Sequence, residues 1–537
     1  LANGRCGIAN VSFVTLAGLA DSMTAPFMTK GGRAPLTDAI LRAAVRSALA
    51  STAGPLLRPA KDHSSTIDAL VATYREMRTV DATVLDQLAL ASERGTEVVS
   101  VIWAVRELAA DWFDEVDVLD AATRFLGDAD VSSLESLGSV VVYLPSALTA
   151  PGARVLRALG ARVSCTAVIG TTGDGEADKL AHQLVTALQP TSEPEWGQAG
   201  TAPMADEVLS APTADAELLL VLRDVMARCE AGTPPERIAI VHAGTPQYVT
   251  LLHNSLQSAG IPFNGSGIRP LSATVAGRML LGALSLVEHD WRREDVADWL
   301  ATGPLRYEGR DIPATRWDVL SAEAGVLGGL DHWHVRLEAR AHTLRTEARQ
   351  GSEEGDEDDA PWRTVREAEA DRCDELLRFL DQMAERVSQT SATWADWAEW
   401  AKKLLGDLIG GPATLESWPV AERAAAEAIE EAIGRLGVLD TLRTSPQLAS
   451  AKAALTAELE QPAPQTSRFG TGIWVASVGA VVGLSLDVLY VVGMNDGVFP
   501  GRPSDDVLLP DREREEAQVA SDGSMPLRGQ RGRTLWR

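Results

Sequence analysis

Cysteine is scarce, with four in 537 residues: Cys6, Cys165, Cys229 and Cys373. Their wide spacing fits neither a zinc site nor a disulfide framework. They read as buried, small apolar groups in a reducing cytoplasm. No run of eighteen apolar residues occurs, so nothing is expected to span a bilayer and no membrane partner is expected. The N-terminal LANGRCGIAN lacks the basic region and apolar block of a signal peptide. It also lacks an initiator methionine, which makes a fragment the expectation. No glycine is followed directly by lysine, so the phosphate loop G-x-x-x-x-G-K-S/T is missing. That loop works by bringing backbone N–H groups and a lysine to the phosphates, and without it the main ATP site is gone. No lysine follows Lys452, and no H-E-x-x-H, H-x-x-E-H or paired-carboxylate-plus-lysine cluster is found. Positive charge is outnumbered, 49 Lys and Arg against 75 Asp and Glu, for a net −26. Such a chain repels polyanions, although screening confines the effect to about 8–10 Å at physiological salt. Nucleic-acid binding would need a local basic groove rather than the average field.

What is present reads as a globular protein of several units. Hydrophobic residues make up 45% and charged residues 23%, and 537 residues predict three or four domains. The stretch Ile473–Pro500 holds two apolar β-rich runs, Ile473–Val478 and Val488–Val492, around a glycine-bearing turn. A second turn, Gly493-Met494-Asn495-Asp496-Gly497, follows. Unalternating Val, Ile and Leu predicts strands buried on both faces, as in a parallel sheet. Turns after such strands are where α/β proteins place ligand contacts; the alternative is an ordinary buried βα unit.

Elsewhere, Gly138–Pro145 reads as a buried strand ending at Tyr143-Leu144 without a carboxylate, Ile238–Val241 as another, and Gly7–Ala17 as a strand entering a helix. Residues 36–127 have helical spacing, with Thr37-Asp38 as a cap. Ala161–Ala177 carries Gly170, Gly173 and Gly175; a tight βα turn is favoured over a phosphate site, since Asp174 and Glu176 would repel phosphate. Residues 190–216 read as a crossing between lobes. Residues 275–460 are helical and hold nine of the 14 tryptophans. Trp394, Trp397 and Trp400 repeat at i, i+3, i+6 on one helix face: a packed seam, or a stack for single-stranded bases. Glu353–Asp359 is an acidic run, expected as a solvated loop. His242 and His253 lack metal-ligand spacing and read as ordinary polar or core histidines.

Several motifs carry a resemblance. Ile473–Pro500 is similar to the superfamily 1 helicase segment T-x-H-x-x-K-G-L-E-F, apolar strand, G-x-x-E-G-x-F-P. Gly483, Leu484, Gly493, Gly497, Phe499 and Pro500 match, while Ser477, Gly479, Val482 and Ser485 replace the threonine, histidine, lysine and glutamate. PLTDAILRAAVRSAL resembles a helical insert of AddB-type proteins. The run with AGIP and then RPLS, from Arg237 onward, resembles the second RecA-like lobe of RecB and AddB proteins. The stretch DDVLLPDREREE looks like their D-x-L-L-x-D-x-x-R. The chain therefore resembles the AddB-like, RecB-family helicase–nucleases.

The resemblance implies an α/β fold of two RecA-like lobes with parallel sheets, each interrupted by an all-helical insertion. The expected domains are 1–195, with an insert at about 30–130; 196–275; a helical insertion 276–465; and a closing segment 466–537. It implies a helicase-like, DNA-binding portion of a bacterial helicase–nuclease of double-strand break repair. Its partners would be DNA, as single strands or duplex ends, and a helicase–nuclease subunit, in the cytoplasm. The family is an ATP-dependent helicase and exodeoxyribonuclease, but neither activity has its motif here. No cofactor is expected in this chain; ATP, magnesium and the family's iron–sulfur cluster belong to segments it lacks. The nuclease signature P-D…D/E-x-K is missing, and no cysteine follows Cys373. DNA-facing positions implied by motif are Ser477 and Gly483, with Arg269 a basic neighbour. Two alternatives stay open: a fragment of an active enzyme with its sites elsewhere, and an acidic protein–protein scaffold.

Overall fold

A computed structural model describes residues 10–30, 33–128, 134, 137–145, 148–175, 177–196, 205–243, 246–265, 269–353, 360–442, 445–464, 471–499, 506–521 and 525–528. Cys6, Glu176, Pro500 and residues 354–359 of the acidic run lie outside them. The fold is mixed α/β and 62% helical, with small parallel sheets. It divides into two compact units, one formed by Leu1–Asn264 with Gly470–Arg537, the other by Gly265–Phe469. Among the described residues no helix is long and apolar enough to cross a membrane.

The first unit opens with helices. Thr37 caps the helix Asp38–Thr52, its hydroxyl accepting from Ile40 N at 3.3 Å. That helix packs with Ser64–Met77, Ala82–Ala91 and Glu93–Leu108 around Val45, Leu49, Leu70, Tyr74, Leu85 and Ile102. The helical spacing of these residues puts them on inward faces. The C-terminal segment joins the same core through Leu508, Leu509, Ala517 and Met525.

Besides a short parallel pairing of Ala34–Pro35 with Trp112–Phe113, two longer parallel sheets complete the unit. The smaller pairs β1 (Val140–Tyr143) with β2 (Cys165–Val168). The larger holds β3 (Ile238–His242), β4 (Phe263–Asn264), β5 (Ile473–Ser477) and β6 (Val488–Val491), in the spatial order β6-β3-β5-β4. The central strand β3 is buried throughout, as are Ile473, Val475 and Ala476 of β5.

Three expectations are corrected here. Val488–Val492 is not buried on both faces. β6 is an edge strand, so Leu489 and Val491 are exposed and only Val492, beyond it, is buried. Gly138–Pro145 is not a buried strand either: with one partner strand, β1 leaves Tyr143 63% exposed. Residues 10–15 form no strand, and Phe13 is 94% exposed, because no described strand runs beside them. The thiols divide as well: Cys373 is buried, whereas Cys165 and Cys229 are only half-buried.

Among its described residues the second unit is helical, with one hairpin, Arg306-Tyr307 against Arg310-Asp311. Its longest helices, Leu330–Glu353 and Ala360–Val387, pack as a pair. Trp299, Trp317 and Phe379 form an aromatic core, and Trp333 is buried with its indole N–H donating to Trp291 O at 2.7 Å.

Candidate functional site at the carboxyl edge of the sheet

All four strands of the larger sheet are parallel, so their carboxyl ends lie along one edge. β3 connects through the helix Pro246–Ser258 to β4, on the far side of β5. β5 connects through residues 478–487 to β6, on the far side of β3. The two central strands thus send their connections in opposite directions. The crevice between their carboxyl ends is the switch point at which open α/β sheets bind ligands.

Ser477 stands at that point, paired in register with His242. Ser477 is exposed, ends β5 and begins the 3₁₀ turn Val478–Val481, and its hydroxyl makes no capping bond. His242 is buried, and burial lowers its imidazole pKa, favouring the neutral ring at neutral pH. Gly483 lies in the next turn at φ +80°; a Cβ there would meet Leu144 Cδ1 at 2.6 Å and Tyr143 at 3.1 Å. Its glycine is required by backbone and by packing.

The second turn is held from behind. Gly493, at φ +75°, donates its N–H to Glu217 Oε1 at 2.9 Å. The Tyr248 hydroxyl donates to the other oxygen of Glu217 at 2.5 Å, and its ring would lie 3.0 Å from a Gly493 Cβ. Burial, then the bond to Glu217, pushes the Tyr248 phenol up to about 12. The neighbouring Tyr490 on β6 donates to Asp224 at 2.5 Å; burial and then that bond raise the Tyr490 pKa, and the same bond, with Arg228, lowers that of Asp224. One helix, Ala214–Glu230, therefore fixes both the edge strand and its turn. The sequence singled out Gly493 but not Glu217, because the two are 276 residues apart.

The glycine-rich turn after β2 has an occupant of its own. The Asp178 carboxylate accepts from Thr172 N at 2.7 Å and Gly173 N at 2.8 Å. These are the amides a phosphate would use, which favours the tight-turn reading. The Thr172 amide, opposed by desolvation and reinforced by the Thr172 hydroxyl and the Gly173 amide, holds the Asp178 carboxyl below its ordinary range. A depressed folded-state pKa means the loop's stabilisation is present above the unfolded value, about 3.9, and is lost as pH falls through the folded value. Hydrogen exchange at the Thr172 and Gly173 amides is expected to accelerate on acidification, and Asp178→Asn to remove that pH dependence. Acid-insensitive protection in the unmodified protein would contradict it.

Arg269 belongs to the other unit and is committed there. Its Nε and Nη2 donate to Ala273 O at 2.9 and 2.6 Å, and Nη1 pairs with Glu422. Glu422 also accepts from Val275 N at 2.8 Å. Arg269 thus ties the loop 269–275 to the helix Val420–Arg435. Arg269→Ala is expected to destabilise this unit by about 1.5–3 kcal/mol, the range for hydrogen bonds to charged groups, measured by urea denaturation. An unchanged midpoint would mean the cation is dispensable to the loop.

Among the described residues no group of three His, Cys, Asp or Glu side chains is placed to hold a metal ion. No family model matches the chain, and no curated protein matches it.

Proposed function

We propose that this chain is the helicase-like, DNA-binding body of a bacterial helicase–nuclease of double-strand break repair. In this reading it acts in the cytoplasm beside a helicase–nuclease subunit and neither turns over ATP nor cuts DNA itself. It comprises two RecA-like lobes, each carrying a helical insertion. The observation that supports this best is the way the chain is interrupted. A compact helical unit, Gly265–Phe469, departs after β4 and returns into β5, two neighbouring strands of one parallel sheet. The carboxyl edge of that sheet bears the Ser477–Gly483 turn and the Gly493, Gly497, Phe499 turn that carry the resemblance. The exposed Ser477 and the open backbone of its turn suit a sugar–phosphate contact without base readout.

Fluorescence anisotropy with the full chain tests this. Weak binding is expected, favouring single strands and duplex ends over internal duplex, because a net charge of −26 opposes general duplex affinity. Affinity should fall as salt rises, and the same preparation should release no phosphate from ATP. Absence of binding at any salt would remove the DNA reading and leave the acidic-scaffold alternative. DNA-stimulated turnover above about 1 per second, an ordinary enzyme rate, would overturn the silent-motor reading.

A further inference from the structure

We infer that the helical unit Gly265–Phe469 carries a separate contact for single-stranded nucleic acid, a pair of adjoining recesses that take two successive nucleotides. The inference rests on the DNA-binding reading above. It starts from the tryptophan stripe. Trp394 and Trp397 are buried in the seam, but Trp400, whose ring centroid is 5.7 Å from that of Trp397, is only half-buried. Trp400 lines a recess of about 120 Å³ together with Arg386, Gln389 and Lys403. Lys403 is exposed and has no ion-pair partner among the described residues.

A larger cavity, of about 190 Å³, adjoins this recess and shares the Arg386–Asp407 ion pair with it, at 3.3 Å. Phe379, Met383 and Leu408, all buried, form its apolar lining. Tyr307 stands edge-on to Phe379 at 5.2 Å, and Gln382 and Arg306 add polar groups. The hairpin that brings Arg306 and Tyr307 turns at Glu308 and Gly309, both at positive φ, +49° and +77°. Each recess is below the ~300–1,000 Å³ of a site for a drug-sized molecule, which suits one planar ring per recess.

Aromatic walls in both recesses, with cations between, match the alternation of base and phosphate along a strand. Arg306 is paired with Asp311 at 3.0 Å and Arg386 with Asp407, and Glu308 offsets the charge of Lys403, so the two recesses are balanced in charge and Lys403 is the cation left for a phosphate. The ion pair the recesses share is 41% and 42% exposed, so solvent screens it, and a phosphate can take Arg386 from Asp407 at little cost. The Gln382 amide supplies a donor and an acceptor for a base edge.

The test uses the full chain, a fluorescein-labelled oligothymidine, and the same strand with two adjacent abasic positions. Lys403→Glu is expected to weaken binding at least fivefold at low salt, to reduce the salt slope by about one, and to leave the melting curve unchanged. Trp400→Leu should weaken binding by about 5- to 150-fold, the range for one lost stack, and shrink the penalty for abasic positions. Photo-crosslinks from 5-iodouracil should map to the helix Trp394–Ile409. If Trp400→Leu melts early, Lys403→Glu and the crosslink decide. Wild-type binding that neither variant changes, with crosslinks elsewhere, overturns this site and leaves the DNA-binding reading standing. No binding by the unmodified protein removes that reading and this site with it.

Discussion

Arg514→Ala is expected to destabilise the first unit by about 3–5 kcal/mol, the range for removing one partner of a buried ion pair. The Arg514 side chain is fully buried. Its Nε donates to Leu509 O at 2.8 Å, its Nη1 to Glu76 at 2.9 Å and Pro526 O at 2.7 Å, and its Nη2 to Asp506. Arg528 reaches the same two carboxylates, Glu76 at 2.9 Å and Asp506 at 3.3 Å. This network pins the C-terminal segment to the helix Ser64–Met77, while Leu508 and Leu509 enter the core beside it. The motif that looks like D-x-L-L-x-D-x-x-R thus acts here as a clasp. Without Arg514, Asp506 remains buried and keeps only part of its pairing. Arg514→Lys restores the charge without the planar fork, so its loss should be intermediate. Arg512, 88% exposed in its pair with Glu516, is the control, and its alanine variant should be neutral. Urea midpoints decide: equal midpoints for the Arg514 and Arg512 variants would show that the clasp contributes nothing.

The helical part of this fold was legible and the edges of its sheets were not, for physical reasons. Ile40, Val45, Leu49, Ile67, Leu70 and Tyr74 repeat at helical spacing because one face of each helix is buried, and all six are core residues. Ile238–Val241 reads as buried and is buried. Val488–Val491 reads the same way, yet it is an edge strand. A strand's place in the sheet order is set by its partner, here β3 some 250 residues earlier, which no local pattern encodes. The turns were legible through glycine, since Gly483, Gly493 and Gly497 all adopt positive φ. The groups that hold them were not: Glu217 and Tyr248 reach Gly493 only through the fold. Arg269 read as a basic neighbour of the DNA-facing turn, and its pairing with Glu422, 153 residues away, was not legible. The tryptophan stripe was two-thirds seam, and the residue left half-buried is the one beside the recesses.

Gly472→Ala tests how β4 and β5 pack against each other, and its expected cost is about 2.5–6.5 kcal/mol from three sources. Gly472 has φ +77°, which costs a residue with a Cβ about 1–2 kcal/mol. That Cβ would lie 2.3 Å from Pro262 O and 2.5 Å from Pro262 C. Both are backbone atoms, so no side-chain rotation relieves the overlap, and overpacking of this kind costs about 1–3 kcal/mol. The remaining relief is to move β4 off β5, which breaks the bond from Ile473 N to Pro262 O at 3.0 Å. That bond is worth about 0.5–1.5 kcal/mol. Asn264, whose Nδ2 donates to Thr471 O at 2.8 Å, would move with it. Gly232→Ala separates strain from overlap: Gly232 has φ +102° but nothing within 4 Å of its Cβ, so only about 1–2 kcal/mol is expected. Hydrogen exchange should speed up at Ile473 and Trp474 in Gly472→Ala, while the core around Trp317, Trp333 and Phe379 in the inserted unit keeps its protection. If the proposed DNA-binding reading holds, affinity should weaken in parallel, since β5 carries the Ser477 turn. Equal losses of stability in the Gly472 and Gly232 variants would show that β4 and β5 are not pressed together as the backbone contact requires.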